Sequence, residues 1–191
     1  MIGIIFGPPG SGKGTQAARI EKEFRLQHLS TGDILRHEVA EGTPVGKEAA
    51  RIMAAGDLVP DELIVDIVRR RLPEAEAGAG VLLDGFPRTL RQAQALERML
   101  ADEGHRVDFV VALDVPEQEL VNRILHRAEV EGRADDTREA IAERMHEYHK
   151  LTEAVLDHYR KQGAATETVN GLGSPEEVFE RIRRAIGISS R

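Results

Sequence analysis

One glycine-rich stretch, Gly7-Pro8-Pro9-Gly10-Ser11-Gly12-Lys13-Gly14, constrains this chain more than any other. Ile2, Ile4, Ile5 and Phe6 precede it with the β-branched bias of a buried strand. Ala17, Ile20 and Phe24 follow at helical spacing. Between strand and helix, glycines let backbone N–H groups converge on an anion without interference from Cβ, and the prolines stiffen the entry. The helix N-terminus adds exposed N–H groups and the positive end of a dipole, which both favour phosphate. Lys13 supplies a point charge suited to β- and γ-phosphates. The stretch reads as a phosphate-binding loop, with a glycine-rich turn that binds nothing as the bland alternative. The general pattern places Ser or Thr directly after the lysine; here Gly14 stands there and Thr15 follows.

The remaining periodicities alternate. Short apolar runs at 26–29, 81–84, 109–113 and 164–169 predict four more strands, two of them ending in carboxylates, Asp84 and Asp114. Helical spacing fills the gaps. Ser30 to Asp33 offer a cap for a helix through Ile34, Leu35 and Val39, and residues 45–55 form a second short helix after Gly42-Thr43-Pro44. These two look like an appendage on the core. Further helices are predicted at 61–72, 90–100 and 117–127, and residues 128–136 lack periodicity and read as a loop. Asp136 and Glu139, at capping-box spacing, open a long helix that Gly163 ends. Ser174-Pro175-Glu176-Glu177 opens the last one with cap, proline and glutamate in order. Alternating strands and helices predict a three-layer α/β fold: a five-stranded parallel sheet flanked by helices, with the loop and both aspartates along one edge.

Charge sharpens the problem that this loop sets. The 191 residues carry a net charge of −7, which argues against general nucleic-acid binding, so cations must cluster locally to hold a polyanion. No apolar run approaches the roughly 20 residues of a membrane span, and the N-terminus shows no basic-then-apolar leader, so a cytoplasmic location and no membrane partner are expected. Zero cysteines exclude disulfides and thiolate metal sites. Arginine supplies 21 of the cations and lysine only five, so position has to select the functional few.

Five segments, GPPGSGKGTQ (7–16), LSTGDILR (29–36), GDLVPDE (56–62), DGFPRTLRQA (84–93) and GRADDTREAIAERM (133–146), together resemble the adenylate kinases of the short-lid type, within the nucleoside monophosphate kinases. The resemblance runs from Met1 to the final helix. It implies a P-loop NTPase-like core (1–29, 60–127 and 137–191), a helical AMP-binding insertion (30–59) and a short lid (128–136). It also implies MgATP + AMP ⇌ 2 ADP, with ATP, AMP and ADP as ligands, no nucleic-acid partner and a monomeric state. A lid of about ten residues without cysteine carries no zinc. The acceptor is already an ionised phosphate, so catalysis should rest on positioning and charge stabilisation.

By the same resemblance, Gly10, Ser11, Gly12, Lys13, Gly14 and Thr15 hold ATP, with Arg123, Arg127 and the backbone near Gly173. Arg36 and Arg88 hold the AMP phosphate, and Arg133 and Arg144 flank the lid's exit. Lys13, Arg88, Arg123, Arg133 and Arg144 form the catalytic set. Thr31, Gly32, Asp57, Leu58, Val59, Gly85, Phe86, Pro87 and Gln92 line the AMP site, where Thr31 and Gln92 face the base. A solvated helix residue is the plain alternative for Arg36, and a surface ion-pair stripe for Arg123 and Arg127. Asp84 is expected to meet Mg2+ through water, with Asp114 as competitor; the Gly-Phe-Pro-Arg after Asp84 favours it. Asp33 either supports that water network or caps its helix. His146 and His149 share a helix face as a solvated pair. A UMP/CMP kinase and a non-catalytic nucleotide switch are the competing functions.

Overall fold

The first apolar run forms β1 (Ile2–Phe6), buried at every position. The computed structural model describes residues 1–76, 79–131 and 137–187, and the side chains of all of these but 73–76 and 127–131. After β1 come α1 (Lys13–Phe24), β2 (Gln27–Ser30), α2 (Thr31–Ala40), α3 (Pro44–Ala55), α4 (Asp61–Glu76) and β3 (Val81–Asp84). Then follow α5 (Leu90–Asp102), β4 (Phe109–Asp114), α6 (Glu117–Glu131) and α7 (Arg138–Glu147). A π-helical turn, Tyr148–Thr152, carries α7 directly into α8 (Glu153–Lys161), and β5 (Ala165–Asn170) and α9 (Pro175–Ile186) close the described chain.

All strand pairs are parallel, in the order β2-β3-β1-β4-β5. The chain leaves β1 toward the β2 edge, whereas it leaves β3 and β4 toward the other edge. A crevice therefore opens at the carboxyl end of β1, where the glycine loop stands. The period of two along a strand divides the core. Ile2, Ile4 and Phe6 face one layer with Val68, Leu96, Val155 and Tyr159. Ile5 faces the other with Ile20 of α1 and Val178 and Ile182 of α9. A third cluster, Leu120, Ile124, Ile141 and Met145, ties α6 to α7. Each such side chain contributes about 1.5–3 kcal/mol when fully buried, so the sheet is a firm base for the loops at its edge.

The predicted three-layer α/β fold with five parallel strands is the observed one. β2 and β5 each start one residue later than their apolar runs. The long helix differs in two ways. Its cap is Thr137, whose hydroxyl accepts from the Ala140 N–H, and not Asp136. Thr137 has the extended backbone of an N-cap, φ −77° and ψ 158°. In addition, the widened turn at 148–152 interrupts the regular ladder. Of the expected lid, residues 132–136 lie outside the described residues, including Arg133, Asp135 and Asp136, and 128–131 continue α6.

Candidate active site

The glycine loop turns from β1 into α1 because two glycines adopt left-handed backbone, Gly10 at φ 79° and Gly12 at φ 90°. A Cβ on Gly10 would sit 2.8 Å from the Leu120 carbonyl and 2.7 Å from Ile124, so α6 packs against the loop only over glycine. Lys13 opens α1, and its Nζ donates to the carbonyls of Gly7 (2.6 Å) and Pro8 (3.1 Å), which holds the ammonium over the loop. Ser11 is buried, and its hydroxyl has no hydrogen-bond partner among the described residues.

This loop forms one wall of a cleft of about 770 Å³. Gly10, Ser11, Gly12, Lys13, Gly14, Thr15, Arg123 and Gly173 line it from the donor side of the expected site. Thr31, Gly32, Arg36, Asp57, Leu58, Val59, Gly85, Pro87, Arg88, Gln92 and Arg144 line it from the acceptor side. Segments far apart in sequence thus meet at one sheet edge. Phe86 is the exception, since its side chain is buried in the main core behind the cleft. The side chain of Arg127 and the whole of Arg133 are outside the described residues.

Arg88 sits at the centre of the acceptor wall. Its Nε donates to the Gly85 carbonyl (2.9 Å), and its N–H donates to Oε1 of Gln92 (2.7 Å). The Thr152 hydroxyl, carried by the π turn, donates to its carbonyl (3.2 Å). Burial lowers the Arg88 pKa, Asp84 opposes that, and the charges of Arg144 and Arg36 lower it further. An arginine that feels two further guanidinium charges makes a place that a phosphate dianion relieves. Arg36 also pairs with Asp33 one helical turn away, while Ser30 caps α2 by accepting from the Asp33 N–H. The Asp33 carboxylate therefore orients an arginine, and the cap is Ser30.

Two expected base readers already serve the protein. Gln92 is buried, and its Nε2 donates to Oδ1 of Asp61 (2.7 Å) while its Oε1 accepts from Arg88. The Thr31 hydroxyl donates to the Gly85 carbonyl (3.0 Å). Arg123 donates to Glu119 on its own helix (2.7 Å) and to the Gly171 carbonyl (3.3 Å), so the surface pairing and the cleft position coexist. Arg144 reaches the Met53 carbonyl at the end of α3 (3.5 Å). Near it, a Cβ on Gly56 (φ 87°) would sit 2.6 Å from the Ala140 carbonyl, so α3 and α7 approach over glycine.

The two strand-ending aspartates separate cleanly. Asp84 lines the main cleft and is 8% exposed, whereas Asp114 is exposed and lines a different cavity beside α6 and α8. His28, unremarked in the sequence, bonds Oδ2 of Asp84 through Nε2 (3.2 Å). Burial opposes its charge, but the bond to Asp84 and the charges of Asp84, Glu21 and Asp33 raise its pKa overall. His126, Glu147 and Tyr148 also line the main cleft without having been singled out. Their signal was helical spacing: His126 follows Arg123 by three, and Glu147 and Tyr148 follow Arg144 by three and four.

Cations gathered from five elements, set over a glycine loop at the carboxyl edge of a parallel sheet, suit the stabilisation of a migrating phosphoryl group. Fold and site together define a P-loop phosphotransferase. The family model for adenylate kinase matches residues 5–164. An adenylate kinase of Thermus thermophilus is 51% identical over 185 residues, covering 97% of this chain and 96% of that protein. Adenylate kinases of Micrococcus luteus and Leptospira biflexa are each 49% identical over 183 residues, covering 96% of this chain and 89% and 98% of theirs. The chain belongs to the adenylate kinase family, and it is a nucleoside monophosphate kinase.

Proposed function

We propose that this cleft transfers the γ-phosphoryl group of MgATP to AMP, reversibly, giving two ADP. The observation that carries the reading is the second cationic centre: Arg36 and Arg144 set their charges toward Arg88 on the acceptor wall, on elements other than the glycine loop. A second phosphate-bearing ligand accounts for that arrangement. ATP lies on the loop, with Lys13 and Arg123 against its phosphates and Gly173 near its base. AMP lies with its phosphate against Arg36 and Arg88, between the 30–59 segment and α5. The attacking AMP oxygen is already ionised, so the residues hold the two phosphates in line and spread the transferred charge. ATP and AMP bring about six negative charges, which a lone lysine would not balance.

The donor chemistry at Asp84 fits magnesium. This ion keeps most of its water and takes one or two carboxylates beside the phosphates, and Asp84 offers a single recessed carboxylate on the cleft wall. When bound, the ion neutralises phosphate charge there. The Gln92 amide nitrogen and the Thr31 hydroxyl read the acceptor base by exchanging Asp61 and the Gly85 carbonyl for adenine, with Leu58 and Val59 packed on its faces. The 30–59 segment closes over the ligands and excludes water. The enzyme works as a cytoplasmic monomer; among the described residues no helix is long and apolar enough to cross a membrane.

The test is an acceptor series. With MgATP in excess, AMP should be phosphorylated at a kcat/KM well above UMP and CMP, and Arg88→Ala should lower that value about 10²–10⁵-fold. A preference for UMP, or an indifferent Arg88→Ala variant, contradicts the reading.

A further inference from the structure

The π turn has a task in the acceptor site. Along α7, Ile141 and Met145 face the cluster beneath α6, whereas Val155, Leu156 and Tyr159 of α8 face the main core. An α-helix advances about 100° per residue, so one extra residue in a turn retards everything after it by about that angle. The retardation brings Thr152 to the cleft wall that Arg144 and Tyr148 also line. It also changes what the threonine hydroxyl can bond. A buried threonine in an ordinary helix bonds the carbonyl four residues back. Here the Tyr148 carbonyl accepts from the Glu153 N–H, five residues on, and Thr152, 5% exposed, donates to the Arg88 carbonyl instead. With Gln92 on the N–H and Gly85 on Nε, that bond completes the fixing of Arg88.

We propose that Thr152 is a positioning residue for acceptor binding: its hydroxyl, aimed across by the π turn, fixes the Arg88 backbone and so the direction of the Arg88 guanidinium. Resting on the functional reading above, it adds a residue of the π turn that acts through Arg88. Misplacing a phosphate-binding fork by even one ångström weakens the ligand it grips and leaves remote ligands unaffected.

The experiment compares Thr152→Val, which keeps the shape and removes the donor, with Thr152→Ser, which keeps the donor. Thr152→Val is expected to raise KM for AMP about 5–30-fold, with KM for ATP within about two-fold of wild type. Thr152→Ser should stay within about two-fold for both. Should the valine variant not fold, Thr152→Ala is read the same way. The Arg88 Nε–H resonance of the nucleotide-free protein gives a readout independent of turnover: it should shift and exchange faster with solvent in Thr152→Val, and not in Thr152→Ser. Equal losses for ATP and AMP, a serine variant no better than valine, or an unchanged Arg88 resonance overturns the proposal. A wild-type protein that fails to phosphorylate AMP instead overturns the functional reading, while the resonance still decides the role of Thr152.

Discussion

At the scale of single residues, environment decides the chemistry. The chain has two tyrosines and no tryptophan; Tyr159 is buried and Tyr148 half-buried, each beside carboxylates. Burial, then Glu153 and Asp114, pushes Tyr148 up to about 12; burial, then Glu97, pushes Tyr159 up as well. A group whose folded pKa lies above its unfolded value stabilises the fold fully below the unfolded value, and loses that contribution as pH rises through the folded one. For Tyr148 the loss runs from about pH 10 to about 12. Absorbance near 295 nm should therefore stay flat through about pH 10–11 and rise only as the fold opens. Tyrosinate forming near pH 10 in folded protein contradicts that placement. Legibility at this scale was uneven. Arg88 was singled out by the family resemblance, on a segment that follows a strand-ending aspartate. His28 and Thr152 were not, since one lies in a weakly patterned edge strand and the other on a helix, and each owes its role to a distant partner, Asp84 or Arg88.

At the scale of elements, caps were the clearest signal and packing geometry the least clear. The final helix begins as read: Ser174 and Glu177 bond each other's backbone N–H groups, and Pro175 opens the first turn. Ser174→Ala should cost about 1 kcal/mol and lower the melting temperature by about 2–4 °C. A loss under 0.5 °C in a calorimetric scan contradicts a working cap. The π turn was hidden for a physical reason. Met145, Tyr148, Val155 and Tyr159 satisfy ordinary helical spacing, and the extra residue is selected only by the two cores that α7 and α8 must face. Thr137 displaced Asp136 as cap on the same logic, because backbone direction at the helix start lies outside the reach of residue type alone.

At the scale of the whole molecule, an acidic protein holds a cationic cleft. A net charge of −7 surrounds a lysine and arginines that arrive from α1, α2, α6, α7 and the β3–α5 loop. The parallel sheet makes this convergence possible, since every strand points its carboxyl end to the same edge. That convergence was legible in outline because alternating strands and helices fix the topology. The partners within it were not: Gln92 and Asp61, or Arg144 and the Met53 carbonyl, follow from how the 30–59 segment and α7 dock. The account stands on two phosphate-binding centres acting on one pair of nucleotides. Incubation of the purified protein with MgADP alone, followed by chromatography, tests this most directly. Equal amounts of ATP and AMP should appear; no conversion, or AMP and free phosphate without ATP, contradicts the account.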